Sequence, residues 1–505
     1  MRARKNGLII AAGLVFAAAC SIPASETALP VTEGKARLLV TQDGEVDDMN
    51  SLIHTLLYSN DFDLEGIVQT SSKLHYSGDE NTESLRWMGT EWMYDFLDAY
   101  AEVYPNLIVH DPDYPSPESL REITVIGNIK AEADTSEITP GSELIKERML
   151  ADDPRPLYIE VGGGANTVAR ALMSIEEEYK DSEEWDAVYE RLCENVVLFA
   201  WGMQDSCYLD YIQPNWPEMR MVDVSGSTIA YGYRWATLEE LTDEAREKLS
   251  SAWMEEHLEK NHGALMDKYV TWGDGTYLEG EEDPDQYGAN EDLLGDETLW
   301  VGHAYERYDF LSEGDSPAWF ITIPNGLRSM EDLSYGGWAG RYALKGSKDI
   351  EGVRLYQAAK GNEKGIAAWV AAIQSDFAMR ADWCVAEKYE DANHLPEAAI
   401  EEGTDLTAAA GETIALHASA EDQDGDSVSF RWYHYPLGDT YEEEMDGDRN
   451  PVPIEVTVSG DAGEAAELTI PEDAAAGDTI HVILECVDGG GTNPVAYQRA
   501  IITVQ

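Results

Sequence analysis

The sequence predicts an α/β fold, a mostly parallel open sheet with helices on both faces, followed by a small all-β sandwich. Three observations predict it. Short apolar runs alternate with helix-length amphipathic segments from residue 36 to about residue 235. Such alternation favours parallel strands, because each parallel pair needs a crossover connection. Hydrophobic residues make up 43% of the 505 positions, enough for a large core in two or three domains. Past about residue 395 the pattern changes to short strand-like runs separated by polar turns.

The elements follow in order. Residues 1–20 carry a basic start, "MRARKNG", and a short apolar stretch, "LIIAAGLVFAAA", which is the pattern of a signal peptide. The ending "AAAC" resembles a bacterial lipobox and marks Cys20 for lipidation, with plain secretion as the alternative. Either route places the protein outside the cytoplasm, secreted or lipid-anchored to the bacterial cell envelope. Residues 21–35 are expected to be a tether. "ARLLVTQ" is a strand, "DDMNSLIHTLLYS" a helix, "LEGIVQTSS" a strand and "TESLRWMGTEWMYDFLDAYAEVY" a long helix. "PLYIEVGGG" and "ANTVARALMSIEEEY" repeat strand, turn and helix, and "NVVLFAWGMQD" is a further strand. The acidic, turn-rich stretch within 236–300 is expected to be a surface insertion in a domain spanning 36–395. Residues 396–505 resemble the immunoglobulin-like modules of extracellular enzymes. Their acidic turn, with Asp422, Asp424 and Asp426, fits a solvated hairpin better than a calcium loop.

Charge excludes several partners. There are 34 basic and 98 acidic residues, a net charge of −64. Such a surface repels nucleic acid and anionic membrane faces, so any membrane contact runs through the lipid anchor. It suits a halophilic protein, whose self-repulsion is screened by salt. A homo-oligomer is compatible with the sequence. The five cysteines, Cys20, Cys193, Cys207, Cys384 and Cys486, show no CxxC pattern. That argues against a disulfide framework and a cysteine zinc site, and leaves one bridge among the last four open.

The chemistry concentrates where the first strand ends. In "QDGEVDD", Asp43 closes the strand while Asp47 and Asp48 open the helix. Carboxylates are tolerated at a helix start. So many on one rigid turn call for a positive charge between them, and oxygen-only ligands favour calcium. The alternative is a capping cluster; EF-hand spacing is absent. At other strand ends, Gln204 and Asp205 are placed to bond a sugar. Trp201, Tyr208, Trp216, Trp319 and Trp338 are either sugar-stacking faces or core. Arg341 fits a structural ion pair better than an anion clamp. His75, in a loop near the site, is the first choice for a leaving-group acid.

"TQDGEVDDMNSL" resembles the N-terminal signature of the nucleoside hydrolases, DxDPGxDDxxAL. Asp43, Asp47, Asp48 and Leu52 fall in register, with Gly44-Glu45 at the Pro-Gly pair and Thr41 at the leading aspartate. The resemblance implies that Asp43 binds calcium and orients or deprotonates water, that Asp48 is a second ligand, and that Asp47 takes sugar hydroxyls. "VGGGANTVARAL" resembles the turn whose carbonyl ligates the metal, here at Asn166. Asp315 in "SEGDSPAWF" matches the last ligand, and Gly314 replaces a histidine that assists the leaving base. Lys73 aligns with a sugar-binding asparagine, and Glu313 and Trp338 complete the expected substrate-binding set. "HYSGDEN", "EGDSPAWF", "YGGWAGRY", "DFAMRADWC" and "EDANHLP" narrow the resemblance to DUF1593 or Sde182-type proteins, some of which are called cellulose-binding. The implied function is a calcium-dependent hydrolase of a glycosidic or N-ribosidic bond, acting on a sugar, nucleoside or glycan. The alternative is a non-catalytic binder of a cellulose-like polysaccharide on the same fold.

Overall fold

The structure is a computed structural model that describes residues 25–30, 33–282, 285–360, 365–443, 452–454 and 456–505. The expected signal peptide and Cys20 lie outside the described residues.

The central sheet contains β1 (Arg37–Gln42), β2 (Asp63–Gln69), β3 (Thr124–Ile126), β4 (Leu157–Val161), β5 (Val196–Ala200), β6 (Arg220–Asp223), β7 (Tyr342–Leu344) and β8 (Leu355–Ala358). Their order is β3-β2-β1-β4-β5-β6-β8-β7. Every pairing is parallel except β7 with β8. The continuous apolar runs reflect burial on both faces. Successive side chains point to opposite faces. Leu38 and Val40 of β1 therefore enter one core while Leu39 enters the other. In β5, Val197 and Phe199 divide from Val196 and Leu198 in the same way.

The chain winds outward from β1 to β2 and β3, then returns to β4 on its other side. This reversal opens a crevice beyond the carboxyl ends of β1 and β4, where open α/β sheets bind ligands. Helix α1 (Val46–Leu57) leaves β1 there, and α2 (Glu91–His110), α3 (Pro140–Leu150), α4 (Asn166–Tyr179) and α5 (Trp185–Asn195) follow. The helix expected from residue 82 starts later, at Glu91. Gly89, in the left-handed region at φ +83°, interrupts the periodic pattern ahead of it. The helix then runs past Pro105 to His110.

Residues 236–300 are not a surface insertion. Trp272, Tyr287 and Leu293 are buried in the larger core, and Trp272 stacks on Tyr305 at 4.6 Å. The segment alternates acids with aromatics, and its buried aromatics anchor it. Residues 25–30 of the expected tether are also docked. Leu29 is buried, its amide donates to the Glu331 carbonyl at 3.0 Å, and Tyr356 bonds the Glu26 carbonyl at 2.9 Å.

The C-terminal part is a sandwich of two four-stranded sheets. Thr413–Glu421 lies in one sheet and Val428–His434 in the other. The acidic turn between them is therefore a crossing between sheets and not a hairpin. Asp424 uses it to hold the His394 amide at 2.7 Å. Arg499 joins the sandwich to the larger domain, donating to the carbonyls of Tyr335 at 2.8 Å and Gly336 at 2.9 Å. Cys193, Cys207, Cys384 and Cys486 are free and buried.

Candidate metal centre

Two acidic groups converge at the crevice. The carboxylates of Asp47, Asp48 and Asp315 lie within 4.8 Å of one another. Beside them Asp43, Glu45 and His75 form a second group with the same limit. Sequence order explains the arrangement. β1 ends and α1 begins within a few residues, so Asp43 and Asp48 are locked together, the Asp43 amide donating to Asp48 Oδ1 at 3.0 Å. Asp315 arrives from a distant segment that closes against α1, where the Ser316 amide donates to Ser51 Oγ at 3.0 Å.

Two glycines make the approach close enough. Gly163, at φ +71°, follows β4, and a side chain there would begin 2.7 Å from the Asp43 Cβ. A side chain on Gly314 would begin 2.7 Å from Asp47 Oδ2. A side chain here, such as the histidine of the related signature, would have to displace the Asp47 carboxylate.

The electrostatics are one-sided. Burial first, then the neighbouring carboxylates, raise Asp47, Asp48 and Asp315 well above the usual carboxylate range. Like charges this close repel by about 3 kcal/mol or more per pair at an effective dielectric near 20. Among the described residues no Lys or Arg pairs with any of the three, and Asp43 Oδ2 and Asp315 Oδ1 lack hydrogen-bond partners while fully buried. A carboxylate trio with an orphaned Asp315 Oδ1 and no described Lys or Arg paired to it fits a hard dication. Glu160 of β4 adds to it. Both its carboxylate oxygens are buried without partners, and burial, then Asp315 and Asp43, favour its neutral form. An acid inside the apolar strand "LYIEV" was a sequence signal for this position.

The other expected residues separate. Lys73 and Gln204 line a cavity of about 600 Å³ whose floor includes Glu45, Asp47 and Gly314. Trp201 also lines it, half exposed at 39%. The remaining aromatics do not. Tyr208, Trp216, Trp319 and Trp338 are core residues, Trp338 lying toward the C-terminal sandwich. Asp205 sits at the amino end of α4; burial raises its carboxyl, and the amides of Cys207, Ala165 and Asn166 oppose the rise. Glu313 is wholly internal, bonded to His54 Nδ1 at 2.7 Å, Tyr269 OH at 2.5 Å and Ser316 Oγ at 2.7 Å. Neither Trp338 nor Glu313 is free to touch a substrate.

Asn166 takes a supporting position. Its side chain accepts from Thr70 Oγ1 at 2.6 Å and donates to Ser71 Oγ at 3.0 Å and the Asn128 carbonyl at 2.8 Å. As the first residue of α4 its own carbonyl faces along the helix. His75 is fully buried and does not line the cavity; its Nε2 meets Glu281 Oε2 at 3.1 Å. Burial lowers its pKa, but Asp43, the Glu281 bond and Glu45 outweigh that and raise it to about 9. Arg341 donates to the carbonyls of Ser334 and Lys360, away from the crevice.

Sequence reasoning missed much of the cavity wall. Tyr233, Tyr287 and Trp300 face it, Trp300 60% exposed, and Arg86 lies at its edge paired with Asp285. Most come from the segment beyond residue 230, whose turn-rich composition carries no strand-end signal.

Two family models match the chain. The family model described as "Cellulose-binding Sde182, nucleoside hydrolase-like domain" matches residues 37–342. The model for the C-terminal domain of cellulose-binding protein Sde0182 matches residues 413–504. A solved nucleoside hydrolase-related hypothetical protein from Saccharophagus degradans, associated with carbohydrate metabolism, is 26% identical with a TM-score of 0.68. The match covers 94% of this chain and 100% of that one. The effector protein XOO4466 is 13% identical, with 71% of this chain and 94% of that one covered and a TM-score of 0.36. A PapD-like domain of human CEP192 is 13% identical, with 21% of this chain and 84% of that one covered and a TM-score of 0.16. No curated protein matches the chain.

Proposed function

The chain belongs to the cellulose-binding Sde182 family with its nucleoside hydrolase-like domain, and from that premise we propose that it is an extracytoplasmic, calcium-dependent hydrolase of a glycosidic or N-ribosidic bond. One observation carries the reading: Asp47, Asp48 and Asp315 converge within 4.8 Å with no cation paired to them among the described residues. Asp48 and Asp315 would hold the calcium, with Asp47 at the cavity floor and Asp43 alongside. Bound there, calcium supplies Lewis acidity that lowers the pKa of water and orients hydroxyl oxygens. Asp43 has a free Oδ2, and its Oδ1 is fixed by the Glu45 amide at 3.1 Å. It is therefore positioned to take a proton from water. Asp47 faces the cavity and accepts a sugar hydroxyl. Trp201, Tyr233 and Trp300 offer ring faces for the sugar. Attack on the anomeric carbon passes through an oxocarbenium-like state.

A second reading is favoured by a specific observation. His75, the expected proton donor, does not line the cavity, and the family is described by cellulose binding. A binder without turnover would keep the same cavity. Calorimetric calcium titration in high salt, with Asp48→Ala beside the wild type, tests the metal. Binding in the wild type that is lost in the variant supports the centre; its absence in the wild type overturns it. Release of sugar from glycosides or nucleosides then separates the readings, since retention on cellulose without release favours the binder.

A further inference from the structure

We propose that Asp43, Glu45 and His75 form a second cation site, suited to a first-row transition dication, beside the calcium carboxylates. It goes beyond the function proposed above, because its nitrogen ligand and Glu45 play no part in that reading; Asp43 is shared, and with this ion bound its Oδ2 is a ligand and not the proton acceptor.

The geometry is that of ligands without their ion. His75 Nδ1 stands 3.8 Å from Asp43 Oδ2 and 3.8 Å from Glu45 Oε2. Both separations are too long for hydrogen bonds. Ligand atoms around an ion with bonds of about 2.0–2.2 Å lie roughly 3–3.6 Å apart, so both separations from His75 need a contraction of only a few tenths of an ångström. His75 and Asp43 are almost wholly buried, and both His75 Nδ1 and Asp43 Oδ2 lack partners. Buried polar atoms are normally satisfied, so two orphans aimed at one point indicate a missing group.

The surroundings match a metal site as well. Metal-bound histidines usually give their other ring nitrogen to a carboxylate, which fixes the ring. Here His75 Nε2 meets Glu281 Oε2 at 3.1 Å. Glu45 is steadied by the Tyr233 hydroxyl, which donates to Oε1 at 3.0 Å. Asp43 Oδ1 accepts from the Glu45 amide at 3.1 Å. Each ligand thus has one atom anchored and one directed at the common centre. An imidazole with two carboxylates selects zinc, manganese or iron over calcium, while the neighbouring all-oxygen group selects calcium. Glu45 stands where the nucleoside hydrolase signature has glycine, so that signature does not supply this ligand.

The test uses the full mature chain, stripped with chelator and saturated with calcium in high salt. Zn2+ is titrated by calorimetry, and Co2+ by visible absorption. One further equivalent of Zn2+ is expected to bind with calcium retained. Glu45→Gln and His75→Asn should each weaken it on the order of a hundredfold, and Glu281→Gln about tenfold. The Co2+ spectrum should lose its nitrogen-ligand signature in His75→Asn. Where that variant fails to fold, Glu45→Gln keeps the test open, because its amide still accepts from Tyr233. Zn2+ binding that is absent, indifferent to Glu45→Gln, or only competitive with calcium overturns the site and leaves His75 as a buried imidazolium among carboxylates. Failure of the calcium centre is read separately, from Asp48→Ala in calcium alone.

Discussion

Gly314 shows how one missing side chain organises the site. A Cβ there would meet Asp47 Oδ2 at 2.7 Å, and the position is fully buried beneath the cavity. Gly314→Ala should push Asp47 aside and weaken calcium binding on the order of tenfold, while the fold holds. Calorimetry with near-ultraviolet circular dichroism checks both halves; unchanged affinity would mean that Asp47 does not support the calcium held by Asp48 and Asp315. The acids at the strand end were legible in the sequence, because position on a β-strand followed by a helix fixes where Asp43, Asp47 and Asp48 point. Residues from distant segments were harder. Glu313 and Asp315 are two positions apart, yet one is locked to His54 and Tyr269 and the other reaches the carboxylates. That difference depends on tertiary packing, which local spacing does not encode. His75 reads as a loop residue near the site, but its partner Glu281 lies more than two hundred positions away, beyond the reach of local spacing.

The segment 236–300 carries the main difference between expected and observed elements. Its charge and turns suggested solvent, but its aromatics decide its place. Trp272 is fully buried, stacked on Tyr305 and packed edge-on against Tyr287. Trp272→Ala should cost about 3–5 kcal/mol, the usual loss for a buried aromatic. Guanidinium unfolding gives the stability. Limited proteolysis between residues 273 and 300 should also accelerate, since the segment loses its anchor. A loss under about 1 kcal/mol would show the segment to be only loosely attached. The parallel strands, by contrast, were readable directly. A run such as "NVVLFA" has no polar alternation because β5 is covered on both faces, and that composition is diagnostic of an interior parallel strand. The alternation marks the sandwich strands but not which sheet each joins, so the sequence suggests a hairpin at Asp422–Asp426 where the chain crosses between sheets.

Over the whole molecule, charge and domain docking set the conditions for stability. A net charge of −64 repels itself, and the Debye length falls from about 10 Å at 0.1 M salt to about 3 Å at 1 M. The melting temperature should rise steeply over that range; a flat response would mean that the acids are locally compensated. Docking of the sandwich depends on a different group. His481 is fully buried, and its Nδ1 accepts from Arg499 Nη1 at 3.0 Å, the arginine that grips Tyr335 and Gly336. Burial foremost, then the positive charges of Arg499 and Arg328, hold its pKa well below the usual histidine value. The ring is therefore neutral when folded but protonates near pH 6.5 when unfolded. The unfolded state binds the extra proton, so the stabilisation is present above pH 6.5 and lost as pH falls below it. Between pH 6.5 and 5 the loss approaches about 2 kcal/mol for this one group. His481→Gln keeps a polar side chain and removes the titration. Wild type should lose about 1–2 kcal/mol more than the variant between pH 7 and pH 5, measured by denaturant unfolding at equal salt. The surface carboxylates titrate in both proteins and cancel in the difference. Equal losses would mean that His481 accepts its proton without leaving Arg499, and the junction would then be indifferent to acid.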